Sequence, residues 1–236
     1  IFRLPCGGNK FLPKEDLWKH LEEWTNNIVD FYNDDDEETP DFFTSHYGDG
    51  GISAAMLMKK MKIPYSLTIH SPGAQKMDKL NINDENSLEM EEKFHFASRI
   101  AAERLSMKYA SVIFVSTKME RYEQYSHEKY TGYVDVNEDK FVIAPPGANV
   151  DVFNGNSNEY NWIIEKDFEY FDKPLIILSS RIDPKKNHIA MINSFAKSKE
   201  LRDKARLLIV VRNVYDIYTD YTQLPQPEQG IIKQWM

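Results

Sequence analysis

The stretch 64–115, PYSLTIHSPGAQKMDKLNINDENSLEMEEKFHFASRIAAERLSMKYASVIFV, decides the fold. Residues 64–69 and 111–115 are short apolar, β-branched runs of strand length, and 87–110 between them reads as one long helix. A strand, a crossover helix and a second strand form a βαβ unit with its strands parallel. Within the helix Phe94, Ala97, Ala101, Leu105 and Tyr109 recur at three- and four-residue steps. They are expected to pack on the sheet, with Glu103 and Arg104 pointing elsewhere. The pattern continues outward on both sides: a strand end at 41–45, a helix at 52–62, a short helix at 118–125 and a strand at 141–144. This alternation predicts an α/β fold, a parallel sheet with helices on both faces. Ligands then belong at the carboxyl edge of the strands, in the loops that follow them.

A seam follows Phe153, because 154–161 has the Asn- and Ser-rich composition of a linker. Alternation then restarts with a strand at 174–179, a loop at 181–187, a helix at 188–199 and a strand at 206–211. The expected division is a first domain over 1–153, a linker over 154–173 and the start of a second α/β domain over 174–236. That second part has too few elements to be complete. The acidic run Asp34–Glu38 reads as a solvated loop insertion.

Composition narrows the function. The 236 residues carry a formal net charge of −8 and one cysteine. The acidic balance argues against a nucleic-acid partner, and a single Cys6 excludes an internal disulfide framework. The longest apolar runs, 175–178 and 207–211, are strand-sized, so no membrane span is expected. With no signal peptide visible, a cytoplasmic location is expected. The chain begins with Ile1 and is expected to be a piece of a longer reading frame.

Four loops follow expected strands. The first, His46-Tyr47-Gly48-Asp49-Gly50-Gly51, leads into a helix expected near Ile52. Its glycines suit either close approach of a ligand to the backbone or a turn needing positive φ. The second, His70-Ser71-Pro72-Gly73-Ala74-Gln75-Lys76, puts an imidazole, a hydroxyl and an ammonium group together, a set that can bind hydroxyls and a phosphate. It lacks the GxSxG elbow of a hydrolase, and the six histidines show no HExxH spacing for a metal. The third, Ala144-Pro145-Pro146-Gly147-Ala148-Asn149, reads equally as a rigid inter-domain turn or a ligand contact. The fourth, Ser179-Ser180-Arg181-Ile182-Asp183-Pro184-Lys185-Lys186-Asn187, can hold a diphosphate or be a solvated basic turn. No GxGxxG follows an expected strand, which disfavours a dinucleotide oxidoreductase.

In order, HYGDGG, HSPGAQK, RIAAERLSMKYASVIFVST, VIAPPGANVDVF and SSRIDPKKN resemble the motifs of sucrose-phosphate synthases. These are retaining glycosyltransferases of family 4 with the GT-B fold of two Rossmann-like domains. The resemblance covers about residues 11–218. It implies transfer of glucose from UDP-glucose to fructose 6-phosphate, giving sucrose 6-phosphate and UDP, with no bound metal and no cofactor beyond the nucleotide-sugar donor. By the same resemblance Arg181 and Lys186 match the diphosphate-binding pair, and His70 matches a residue near the transferred sugar. Lys10, Tyr47, Ser71, Lys76 and Arg99 match positions that hold the acceptor phosphate. Plainer roles are a surface salt bridge for Arg99 and core packing for Tyr47. The sequence departs from many relatives at Ile69 and Pro72, which bears on the acceptor.

The rival readings are another family 4 enzyme, such as a mannosylfructose-phosphate synthase or a sucrose synthase, and a non-catalytic sugar-phosphate-binding module. The family's glycine-rich loop would precede Ile1 and its acidic motif would follow Met236. The 236-residue chain alone is therefore expected to be inactive, and an incomplete second domain to be prone to aggregation. Oligomeric state is not legible. Lys76→Ala is expected to raise the acceptor KM about 10- to 150-fold, through loss of one charged hydrogen bond at ~1.5–3 kcal/mol. An unchanged KM would remove Lys76 from the site.

Overall fold

The computed structural model describes residues 2–10, 12–34, 38–153, 173–212, 214 and 216–236. The chain divides into two compact units, Ile1–Ala148 and Asn149–Met236. The expected linker, apart from Lys173, lies outside the described residues, as does 35–37 of the acidic run.

In the first unit a 3-10 helix, Lys14–His20, leads into α1 (Leu21–Tyr32). Then come β1 (Phe43–His46), α2 (Tyr47–Met61), β2 (Tyr65–Thr68), α3 (Gly73–Lys79), α4 (Ser87–Phe94), α5 (Phe96–Tyr109), β3 (Val112–Val115) and β4 (Phe141–Ile143). The strands pair in parallel in the order β1-β2-β3-β4, with His46 opposite Thr68 and Val115 opposite Ile143. Sequential order with crossovers of one hand places α2 and α5 on the same face, where they pack together. Tyr65 and Leu67 of β2 point into that face: the Tyr65 hydroxyl donates to the Ser106 carbonyl at 2.8 Å. The core gathers Tyr65, Leu67, Ile69, Ile100, Met107, Ile113, Tyr125, Tyr130 and Phe141. Large apolar side chains of this kind each contribute about 1.5–3 kcal/mol on burial.

The parallel sheet with helices agrees with the sequence pattern, but in this unit three local expectations are corrected. The long helix is broken at His95, which takes the left-handed conformation (φ 49°, ψ 49°). The Glu91 carboxylate stabilises the break by accepting the Ala97 N–H at the start of α5. The buried face of α5 is also a different one. Phe96, Arg99, Ile100, Glu103, Ser106 and Met107 face inward, whereas Ala97 and Ala101 are exposed, with Leu105 39% and Tyr109 47% exposed. The inward polar groups are tolerated because they are bonded there, as described below.

The third correction concerns HYGDGG. It is not a loop: α2 starts at Tyr47, and Gly48, Gly50 and Gly51 belong to its first turns without positive φ. Gly51 answers to space. A Cβ there would lie 2.7 Å from Ser106 Oγ and 2.8 Å from Leu67 Cδ1, so α2 could not lie so close to α5 and β2. The short helix expected at 118–125 is present, wound as a π-helix over Glu120–Gln124, with Tyr125 N–H donating to the Glu120 carbonyl.

The second unit pairs β5 (Leu175–Ser179) with β6 (Arg206–Val210) in parallel, Leu175 opposite Arg206 through Ser179 opposite Val210. Between them lie α6 (His188–Lys197) and α7 (Lys199–Lys204). The helix expected to run to Lys199 stops at Lys197, because the Ser198 hydroxyl caps α7 by accepting the Leu201 N–H. A further helix, α8 (Gln226–Ile232), buries Ile232 with Leu224 and Ile182.

Two neighbouring glycines separate the packing role from the helical one. Gly51→Ala is expected to destabilise the first unit by about 1–3 kcal/mol through overpacking. Gly50→Ala, whose Cβ would meet nothing within 4 Å, should stabilise it by about 0.5–1 kcal/mol. Urea unfolding of both variants checks the pair, and equal midpoints would contradict the packing account.

Candidate functional site

β1 and β2 end side by side, and the chain leaves β2 through 69–73. Ser71 N–H donates to the Ile69 carbonyl at 2.7 Å, closing a three-residue turn with His70 at its centre. His70 has φ 64° there, and Tyr47, the first residue of α2, has φ 62°. Neither is glycine, so each position costs about 1–2 kcal/mol and must be held by its surroundings. The result is a cluster of three rings. The centres of the His46 and His70 rings lie 5.0 Å apart with 15° between planes, and the Tyr47 ring lies 4.9 Å from His70. Both His70 and Ser71 are exposed.

The backbone beneath them is clamped from inside. Ile69 N–H donates to the Tyr125 hydroxyl, and Ala74 N–H to the Tyr130 hydroxyl at 3.1 Å. Gly73 N–H donates to both oxygens of Glu103 at 2.9 Å. Glu103 is 0% exposed. It also takes Arg99 Nε at 2.9 Å and the Tyr130 hydroxyl, while Arg99 Nη2 donates to the Ser71 carbonyl. Gly73 has to be glycine, since a Cβ would lie 2.9 Å from Arg99 Nε and 3.0 Å from Glu103 Oε2. Pro72 fits as the residue before α3, where an N–H is not needed. Burial first, then the Glu103 carboxylate, pushes the Tyr130 hydroxyl well above its usual pKa. Burial, then Glu120, does the same for Tyr125, and burial for Tyr65. All three stay neutral hydrogen-bonding groups.

In the second unit the chain leaves β5 through Ser179 and Ser180. Asp183 caps the turn Pro184–Lys186 by accepting the Lys185 N–H at 3.0 Å, and Asn187 at φ 51° leads into α6. Arg181, Lys185 and Lys186 are exposed. His188 behind them is buried, with Nε2 3.0 Å from Ser180 Oγ. Desolvation lowers its pKa against the opposing pull of Asp183, which favours the neutral ring. Arg181 lines a pocket of about 440 Å³ with Arg212, Leu224 and Glu228.

The structure thus joins Tyr47, His70, Ser71 and Arg99 by direct contacts. Lys76 lies half-buried on α3 with its ammonium 3.6 Å from the centre of the Phe94 ring. Lys10 is exposed on the N-terminal segment. The Arg99 ion pair is an i,i+4 pair, but a buried one. Sequence reasoning missed Glu103, Tyr125 and Tyr130, and it passed over His46. A signal for Glu103 existed: the series Phe96, Ile100, Met107 passes through it at helical spacing. For His46 the signal is that both β1 and β2 run into a histidine.

The first unit presents a clamped histidine loop at its strand ends and the second an Arg/Lys turn, and the fold is of the GT-B class. Residues 6–167 match the family described as the sucrose synthase first GT-B domain, and the chain belongs to that family. It is 46% identical over 222 residues, 94% of its length, to a probable sucrose-phosphate synthase of Thermosipho melanesiensis, covering 48% of that protein. It is 28% identical over 89% of its length to the mannosylfructose-phosphate synthase of Agrobacterium fabrum, covering 45% of it. In fold it is similar to the solved sucrose-phosphate synthase of Thermosynechococcus elongatus, with a TM-score of 0.64, 16% identity, and 99% of this chain and 51% of that one covered. The chain spans about half the length of these relatives. The resemblance read from the motifs therefore holds. Among the described residues no helix is long and apolar enough to cross a membrane.

Glu103→Gln leaves Arg99 buried without its counter-charge and is expected to cost the first unit about 3–5 kcal/mol in urea unfolding. A loss under about 0.5 kcal/mol would mean that the clamp is not held by charge. The raised tyrosines add a pH dependence. Their folded pKa values exceed the unfolded value near 10, so the stabilisation is complete below about pH 10 and declines as pH rises beyond it. The slope is up to about 1.4 kcal/mol per pH unit per tyrosine. Unfolding midpoints between about pH 9 and 12, with phenolate absorbance, check it.

Proposed function

We propose that the intact protein is a retaining glycosyltransferase that moves glucose from UDP-glucose to fructose 6-phosphate, giving sucrose 6-phosphate and UDP. The observation that carries the reading is the clamped 69–74 loop. It presents His70 and Ser71 at the strand ends on a backbone held by the bonded Ile69, Gly73 and Ala74 N–H groups, so their side chains face a ligand without reorganisation. The similarity to a probable sucrose-phosphate synthase over 94% of the chain supports the same reaction class.

In this reading Arg181 and Lys186 hold the donor diphosphate. They neutralise the negative charge that grows on UDP as the glycosidic bond breaks, an interaction stronger in the transition state than in the ground state. His70 stands beside the transferred sugar. The acceptor phosphate is a dianion and needs several donors. Ser71 and Tyr47 supply hydroxyls, Lys10 and Lys76 ammonium groups, and Arg99 a guanidinium whose five N–H groups exceed the two bonds it already makes. The reaction needs no metal or cofactor and takes place in the cytoplasm. A second reading, a mannosyl donor with the same acceptor, is favoured by the likeness to the mannosylfructose-phosphate synthase.

The test is incubation of the intact protein with UDP-glucose or GDP-mannose and either fructose 6-phosphate or fructose, with products identified by mass. A hexosyl-fructose phosphate from UDP-glucose and the phosphorylated acceptor alone is the expected outcome. Product from free fructose alone would sink the roles of Lys10, Lys76 and Arg99. Product from GDP-mannose alone would move the donor assignment to the second reading.

A further inference from the structure

His46 belongs to none of the motif roles assigned above, yet it makes the closest side-chain contact of His70. The two residues leave neighbouring parallel strands: His46 closes β1 opposite Thr68, two residues before His70. His46 Nδ1 lies 2.8 Å from His70 Nε2, with the ring planes 15° apart, so the two rings meet edge to edge. Tyr47, next in the chain, touches the same ring. Both Tyr47 and His70 hold left-handed backbone conformations, which are what bring the three rings together.

A hydrogen bond between two imidazoles needs one N–H and one lone pair. Whichever ring donates, the two nitrogens of His70 are locked into opposite roles. If Nε2 accepts from His46, Nδ1 carries the proton and is a donor; if Nε2 donates, Nδ1 is a lone pair. A histidine with no such partner interconverts between these states and turns freely about its side-chain bonds. A hydroxyl of a bound sugar distinguishes a donor from an acceptor, so the unpartnered form would meet it correctly only part of the time.

We propose that His46 is a positioning residue: its Nδ1 fixes the tautomer and ring orientation of His70, so that His70 Nδ1 is presented to the substrate in one hydrogen-bonding role. This rests on the placement of His70 beside the transferred sugar.

Three variants of the intact protein separate this role from plain packing. His46→Phe keeps an aromatic ring and loses the hydrogen bond. His46→Asn keeps an amide near the position of Nδ1, and His46→Gln places its amide one bond further out. Urea unfolding of each variant first establishes that it is folded. The expected kinetic result is a fall in kcat of about tenfold or more for His46→Phe and His46→Gln, with donor and acceptor KM within about twofold. His46→Asn should recover most of the loss. In parallel, ¹⁵N spectra of the imidazole nitrogens read the tautomer directly. One protonated and one bare nitrogen are expected for His70 in the native protein and in His46→Asn, and averaged signals in His46→Phe.

An unchanged His70 signature in His46→Phe overturns the proposal. An altered signature with unchanged kcat upholds the positioning of His70 by His46 and overturns the placement of His70 beside the sugar. Equal losses in KM and kcat for all three variants, His46→Asn included, would mean that His46 only packs.

Discussion

The first unit depends on one buried carboxylate. Glu103 sits on α5 with no exposure to solvent, which on its own account would be strongly unfavourable. It is tolerated because every direction it faces holds a donor: Gly73 N–H, Arg99 Nε and the Tyr130 hydroxyl. The converse also holds. Remove the carboxylate, and Arg99 is a buried cation without its counter-charge, Gly73 a buried N–H without an acceptor, and Tyr130 a hydroxyl with no place for its proton. Such a network is a single unit, and its geometry is determined to within hydrogen-bond tolerance.

That rigidity explains how the loop at the end of β2 can be strained and still ordered. A histidine at positive φ would ordinarily relax, and a three-residue turn is a poor substitute for regular structure. Here the turn is bracketed by Tyr125 on Ile69 and by Glu103 and Tyr130 on 73–74. The two aromatic hydroxyls come from the segment after β3, so the adjacent strand connection props up the loop before it. With the backbone clamped from the core side, the side chains of His70 and Ser71 face outward. The second unit uses a lighter device: Asp183 caps a single turn, and the exposed Arg181, Lys185 and Lys186 ride on it.

The glycines tell the same story of close approach. HYGDGG reads in sequence as a ligand-cradling loop or a turn rich in glycine. In the folded chain its glycines are helical, and Gly51 is small because Ser106 and Leu67 occupy the space a side chain would take. Gly73 is small because Arg99 and Glu103 pass beside it. In both places glycine serves the contact between a helix and its neighbour, on which the position of the loop rests.

The sequence by itself determined the βαβ alternation, the parallel sheets and the strand-end loops that carry His70, Ser71, Arg181 and Lys186. It did so because these follow from local periodicity and from the few ways strands and crossover helices can be joined. The motifs at 46–51, 70–76, 99–117, 142–153 and 179–187, taken in order, were enough to place the chain in its family. Only the tertiary structure decided which face of α5 is buried. Counting apolar residues picks out Ala97, Ala101, Leu105 and Tyr109, but the face that carries Glu103 wins, because distant partners at Gly73 and Tyr130 satisfy its charge. The helical state of the glycines and the meeting of His46 with His70 were hidden for the same reason. Each depends on a contact between residues far apart in the chain, and local pattern holds no record of the partner.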